Sequence, residues 1–173
     1  MRLLRGLLLA AVFAWAFAPE LPRYGAERRL RPATDALRYV VTHPGEISDP
    51  AGALERIEQI ALSAAPGLPG DSRPWILAGS SHLAAGNPDQ ALDRYRTALG
   101  LGERAEIDLN LGRAYETRGE SEKAMAAYLR AVWIAPALLP ALLPDVQASI
   151  HSEYIRLAGE LRSGRLQAPP PLP

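Results

Sequence analysis

The fold is decided by residues 108–136, which read DLNLGRAYETRGESEKAMAAYLRAVWIAP. Within this stretch, Ala124, Tyr128 and Ala131 are spaced by four and then three residues, which places all three on one stripe of a helix. The same trio occurs 33 residues earlier as Ala91, Tyr95 and Ala98. A pattern that returns at a fixed period of this length is typical of a repeat architecture.

A glycine lies ahead of each trio, in what the sequence predicts to be another helix. These are Gly79 and Gly112, again 33 residues apart. A residue without a side chain lets two helix backbones approach closely, and the tyrosine of the trio fills the space beside it. Each copy is therefore predicted to be a hairpin of two helices, and the two hairpins are predicted to stack.

These residues resemble the tetratricopeptide repeat (TPR) family, whose pattern is W-x2-L-G-x2-Y in the first helix, A-x3-F-x2-A in the second and a proline near the end. The second copy departs from it at Asp108, where the tryptophan would be; the first copy has Ala78, His82 and Glu103 in place of the leucine, the tyrosine and the proline. The matches in the second copy are Leu111, Gly112, Tyr115, Ala124, Tyr128, Ala131 and Pro136, and those in the first are Trp75, Gly79, Ala91, Tyr95 and Ala98.

The predicted fold class is all-α: a short right-handed solenoid of antiparallel helix hairpins, with an N-terminal apolar helix and a C-terminal capping helix. No part of the chain alternates with period two, so no sheet is expected. Thr34 is predicted to cap the first helix of a degenerate hairpin. The predicted segments are a signal peptide or membrane anchor (1–18), a linker (19–33), the degenerate hairpin (34–70), two TPR-like repeats (72–104 and 105–138), a capping helix (139–163) and a proline-rich tail (164–173).

The amino-terminal segment has the pattern of an export signal. Arg2 and Arg5 precede the run 6–18, which contains no polar residue and ends in alternating alanines. Cleavage after Ala16 and retention as a short membrane anchor are the two main alternatives. Both predict a protein of the bacterial cell envelope, either anchored in the inner membrane or periplasmic. The arginines that follow the run leave open a body that faces the cytoplasm.

Composition excludes several classes of function. The 173 residues carry 19 basic and 19 acidic side chains, so there is no overall positive field to attract nucleic acid, and no nucleic-acid partner is expected. The chain has no cysteine, which excludes disulfides, thiolate metal sites and cysteine nucleophiles.

No catalytic, cofactor or metal site is predicted. Residues 100–105 read GLGERA, but the dinucleotide-binding motif of this form needs a preceding strand, so the string is predicted to be a turn between repeats. Ser80 and His82 lie on a helix and not on a nucleophile elbow. The three histidines, at 43, 82 and 151, have no second ligand at chelating spacing.

The resemblance implies that the first helices of the hairpins line a concave face that holds an extended peptide or a partner helix. Some family members clamp a terminal carboxylate there with Lys and Asn side chains; Asn110 and Arg113 are near such positions, whereas Ile76 and Ser80 depart from the clamp. Solvated structural charges are the alternative interpretation of this face. The predicted groove residues are Arg73, Ile76, Ser80, Leu83, Glu106, Leu109, Asn110, Arg113 and Glu116.

The leading functional hypothesis is a non-catalytic scaffold of the envelope that binds another protein or peptide through this concave face. A second hypothesis is a structural subunit of a larger membrane complex that docks by its N-terminal helix and its convex or terminal surface. In either case residues 1–18 would contact the membrane if they are retained. An enzyme is the third hypothesis, and the sequence offers no set of catalytic groups for it.

Overall fold

The computed structural model describes residues 20–171, which are helical throughout their regular structure and contain no strand. The prediction of an all-α fold is confirmed for this part of the chain. The predicted apolar helix and the signal or anchor segment lie outside the described residues. The helices are α1 (Glu20–Thr42), α2 (Pro50–Ala64), α3 (Arg73–Ala84), α4 (Pro88–Gly100), α5 (Ala105–Thr117), α6 (Ser121–Ile134) and α7 (Pro144–Arg162), with short 3-10 turns at Pro44–Glu46, Ala65–Gly67 and Pro136–Ala141.

Each helix packs against the one before it, so the chain forms the hairpins α1–α2, α3–α4 and α5–α6, followed by α7. In addition, α3 contacts both α1 and α5. The first helices of the three hairpins therefore lie side by side, which is the arrangement of a solenoid of stacked hairpins. Among residues 20–171, no helix has the length and apolar character needed to cross a bilayer.

The close approach predicted at the two glycines is confirmed. A Cβ atom on Gly79 would lie 2.6 Å from Cε1 of Tyr95, and one on Gly112 would overlap the ring of Tyr128. Both tyrosines are buried, at 0% and 3% exposed. The glycine of the first helix and the tyrosine of the second thus fit together in both hairpins, which fixes the spacing of the helices.

The predicted linker at 19–33 is wrong, because α1 is continuous from Glu20 to Thr42. Pro32 lies inside the helix, where it removes one hydrogen bond, but it is on the exposed side. The hydroxyl of Thr34 donates to the carbonyl of Leu30 at 3.0 Å, so Thr34 lies in the middle of the helix and is not its N-cap. The helix is held by a buried or half-buried stripe at spacings of four and three, formed by Ala26, Leu30, Ala33, Leu37 and Val40.

This stripe packs on α2 and on one side of α3, where Leu54, Ile57 and Leu77 are buried in the same apolar cluster. Helices α1 and α2 form this hairpin, and α1 also includes residues 20–33, ahead of the predicted unit 34–70. Asp49 caps α2 by accepting a hydrogen bond from the amide of Gly52 at 2.9 Å. The GLGERA string contains the turn between α4 and α5, as predicted.

One carboxylate links three helices on the side of α2. Glu58 Oε1 lies 2.7 Å from His82 Nε2 on α3 and accepts a hydrogen bond from Arg94 Nη2 on α4 at 3.0 Å. The side chains of Glu58 and His82 are 17% and 18% exposed. His82, which replaces the tyrosine of the repeat pattern, therefore connects its own hairpin to the preceding one.

Candidate functional site

A groove of about 750 Å³ runs across the first helices of the three hairpins. Its apolar lining comes from Leu30, Leu37 and Val41 on α1 and from Ile76 and Leu77 on α3. Charged and polar side chains surround these residues: Glu27, Arg31, Thr34, Asp35, Arg38, Arg73, Ser80, Arg104, Glu106, Asn110 and Arg113. The groove thus combines an apolar strip with a polar margin that is rich in arginine.

Six of the nine residues that the sequence predicts for a groove line this one: Arg73, Ile76, Ser80, Glu106, Asn110 and Arg113. The other three placements are corrected. Leu109 is 6% exposed and belongs to the apolar core, and Leu83 packs against that core. The carboxylate of Glu116 accepts a hydrogen bond from the hydroxyl of Tyr128 at 2.6 Å, so it is engaged inside its own hairpin.

Sequence reasoning missed the contribution of α1, which supplies half of the groove lining. The linker prediction for 19–33 removed three of these eight residues, Glu27, Leu30 and Arg31, from consideration. A signal for them exists, because the groove stripe is the buried stripe of α1 displaced by one residue and has the same spacings of four and three. Its members are Glu27, Arg31, Thr34, Arg38 and Val41.

Arg73 joins two walls of the groove. Its guanidinium pairs with Glu27 of α1 at 2.5 Å and with Asp71 at 2.6 Å. The hydrogen bond from Arg73 lowers the pKa of the Asp71 carboxyl, with the charge of Arg73 acting in the same direction. Since two carboxylates neutralise it, Arg73 positions α1 against α3 and is not a free cation.

The other arginines of the groove are less engaged. Arg38 is 3.7 Å from Asp35, and Arg104 is 3.9 Å from Glu106, both as exposed pairs. Within residues 20–171, Arg31 and Arg113 have no carboxylate within 4.0 Å. The lining contains five arginines and three carboxylates. With Asp71, which pairs with Arg73 just outside the lining, the net charge is +1 on a chain whose charges balance overall. The groove is therefore locally positive.

The two central hairpins, α3–α4 and α5–α6, resemble a known repeat family. Residues 76–138, from α3 to the turn after α6, match the family model described as tetratricopeptide repeat. This match supports the TPR family. No curated protein and no solved structure matches the chain. TPR repeats generally mediate protein–protein interaction and are generally non-catalytic.

The polar residues of the groove on α3 and α5 are positioned by local hydrogen bonds. Arg113 Nη1 donates to Oδ1 of Asn110 at 3.3 Å, and Asn110 is only 8% exposed. Ser80 Oγ lies 3.1 Å from the hydroxyl of Tyr95, whose pKa is raised to about 12 mainly by burial. Arg113 therefore projects from a supported position, while Ser80 and Asn110 mainly stabilise the TPR hairpins.

The described residues offer no arrangement for catalysis by Ser80 and His82. The serine hydroxyl is bonded to Tyr95 and the imidazole of His82 to Glu58, so the two groups serve different contacts. Among residues 20–171, no group of three or more His, Cys, Asp or Glu side chains is placed to hold a metal ion. His43 lies in the turn after α1, and His151 is exposed on α7.

Proposed function

We propose that this chain is a non-catalytic scaffold that binds another protein through the groove between α1, α3 and α5, and that the bound segment is extended and acidic. The observation that carries the proposal is the pair Arg31 and Arg113, which have no carboxylate partner among the described residues. They come from the two outer helices of the groove. A ligand that supplies carboxylates to both would complete the charge balance of the site.

The shape of the groove supports an extended ligand. Its apolar strip, with Ile76 and Leu77 at the centre, runs across three helices and suits apolar side chains of a bound segment. Acidic side chains of the same segment would meet the arginines at the margins. The TPR match supports a protein partner in general, and the positive groove narrows the class to acidic segments.

We also propose that the scaffold works in the bacterial cell envelope, anchored in the inner membrane or periplasmic. The support is the sequence of residues 1–18, with two arginines ahead of an apolar run. Intact-mass measurement of the membrane and soluble fractions tests this. A loss of about sixteen residues would indicate export with cleavage, and an intact chain in the membrane fraction would indicate an anchor. An intact chain confined to the soluble fraction would contradict both.

A second candidate function is a structural subunit that docks by its terminal helix. Its support is the exposure of large apolar side chains along the last helix: Ile155 and Leu161 of α7 are 51% and 52% exposed, and Leu143 just before the helix is 57% exposed. Three large apolar side chains at the end of a solenoid would suit a further packing layer. The two candidates differ in the surface that a partner covers.

Site-specific photocrosslinking separates them. A p-benzoylphenylalanine is placed at Thr34, which is exposed and lines the groove, or at Ser152, which is exposed on α7. The labelled protein is produced and irradiated in cells of the organism that encodes it, and mass spectrometry identifies the crosslinked peptides. Crosslinks from Thr34 to an acidic segment of one protein support the groove. Crosslinks from Ser152 alone support the structural subunit and contradict the groove.

A further inference from the structure

The last helix ends in the same kind of turn that closes the first helix of each TPR hairpin. The amide of Gly164 donates to the carbonyl of Leu161 at 3.0 Å and that of Arg165 to Glu160 at 2.9 Å, with φ of Gly164 at +72°. The corresponding bonds close α3 at Gly86 and α5 at Gly119, and there the chain turns back into a second helix. After Gly164 the prolines of the tail disfavour a second helix, and residues 165–171 form an irregular segment instead.

This irregular segment is attached to the second TPR hairpin at Pro170. The residue is buried, and its carbonyl accepts a hydrogen bond from Nη1 of Arg130 on α6 at 2.8 Å. The same guanidinium binds both oxygens of Glu103, with distances of 2.5 Å and 2.6 Å. Arg130 thus connects α6 to the turn that carries Glu103 and to the tail at Pro170. Its side chain is only 14% exposed, so these contacts are largely shielded from solvent.

A buried carboxyl group without a hydrogen-bond partner lies beside this contact. Asp108 is 0% exposed, and both of its carboxyl oxygens lack a partner. Burial raises its pKa to about 7, the negative charge of Glu103 on the turn before α5 acts in the same direction, and the positive charge of Arg130 on α6 opposes them. Asp108 is therefore coupled electrostatically to Arg130, which binds the tail, and to Glu103, which pairs with Arg130.

We propose that Arg130 and Glu103 form a docking site for the chain's own proline-rich segment 165–171, and that this site releases the segment when Asp108 ionises. With Asp108 neutral, Arg130 is free to bind Glu103 and the carbonyl of Pro170 together. An ionised Asp108 in the same place needs a cation or water. Arg130 is the cation that acts on it, so it turns toward Asp108 and gives up the neutral carbonyl, its weakest partner, and water enters as the segment leaves.

The absence of cysteine makes a direct distance measurement possible on the full chain. Spin labels are attached to Gln167→Cys in the tail and Glu122→Cys at the start of α6, which are both exposed and make no side-chain hydrogen bond or ion pair among the described residues. Pulsed electron resonance then gives the distribution of distances between them at a series of values from about pH 5 to about pH 9. The doubly labelled chain without further substitutions is expected to give a narrow distribution of distances at the low end of this pH range and a broad one at the high end. The midpoint of the change is expected near the pKa of Asp108.

Three variants test the assignment. Asp108→Asn is expected to keep the narrow distribution at every pH, and Arg130→Gln is expected to give a broad one at every pH. Glu103→Gln removes the negative charge that raises the pKa of Asp108, so it is expected to move the midpoint to lower pH. It also keeps the proposal testable if Arg130→Gln does not fold. A parent distribution that is the same at all pH values, or an Asp108→Asn chain that responds as the parent does, would overturn the proposal.

Discussion

The ring of Tyr128 on α6 lies directly against the backbone of Gly112 on α5, in the space that any side chain at residue 112 would occupy. The hydroxyl of the same tyrosine reaches back to Glu116, one turn further along α5, at 2.6 Å. Tyr128 therefore sets both the separation and the register of the two helices. The same relationship between Gly79 and Tyr95 in the preceding hairpin explains why these pairs recur with the 33-residue period.

Replacement of Gly112 by alanine is expected to destabilise the fold by about 1–3 kcal/mol, because the added methyl group displaces a buried ring. The control is Gly159→Ala in α7, where nothing lies within 4 Å of an added Cβ atom. There the same substitution is expected to stabilise the helix by about 0.5–1 kcal/mol. Urea denaturation followed by circular dichroism measures both. Equal effects at the two positions would contradict the role assigned to Gly112.

The stability of the chain is expected to depend on pH through Asp108. The pKa of its carboxyl is about 7 in the folded chain against an ordinary value of 3.8, so the folded state binds this proton more tightly than the unfolded state. The resulting stabilisation is complete below about pH 4 and is lost as the pH rises through about 7, an effect on the order of 4 kcal/mol.

Asp108→Asn is expected to remove that dependence. The difference between the free energies of unfolding of the variant and the parent, measured in urea at a series of pH values, should increase in favour of the variant from about pH 4 to about pH 7 and level off above. A difference that is constant across this range would show that the Asp108 carboxyl titrates normally.

The contact between Glu58 and His82 is expected to contribute to the attachment of the first hairpin. Both side chains are half-buried and come from different hairpins, so the double-mutant cycle with Glu58→Gln and His82→Gln should give a coupling of about 1–2 kcal/mol in thermal or urea unfolding. The pair Asp35 and Arg38 is the control, since its side chains are 62% and 73% exposed. Its coupling is expected to stay below about 0.5 kcal/mol. Equal coupling energies for the two pairs would contradict the structural role assigned to the contact between Glu58 and His82.

The repeat body could be predicted from sequence because its information is periodic. Gly112 and Tyr128 and their counterparts recur at a constant interval, and glycine and proline mark the ends of the helices. The first helix could not be predicted in the same way. A proline at residue 32 and the many arginines around it are typical of a linker, although the buried residues of this segment have regular helical spacing. Pro32 is tolerated because it lies on the exposed side, and exposure is a property of the packed structure.

The residues of the groove could be predicted from sequence only in part. Residues on α3 and α5 could be placed by extending the helical period from known packing positions, although this put Leu109 on the wrong side. The attachment of the tail at Arg130 has no periodic signal, because a single guanidinium holds an irregular segment forty residues away. Asp108 could be recognised as a departure from the repeat pattern, but its burial beside Glu103 and Arg130 required the structure.

The central claim is that the groove binds an acidic segment through Arg31 and Arg113. The most direct test uses the partner protein that is identified by crosslinking from Thr34. The partner is purified, and its dissociation constant is measured for the parent chain, for Arg31→Ala/Arg113→Ala and for Arg23→Ala/Arg162→Ala. The last variant is the control, since it removes two exposed arginines outside the groove. We predict binding weaker by about tenfold or more for the groove variant, little change for the control, and unchanged melting temperatures. Equal affinity for the groove variant and the parent chain, or an equal loss in the control, would contradict the claim.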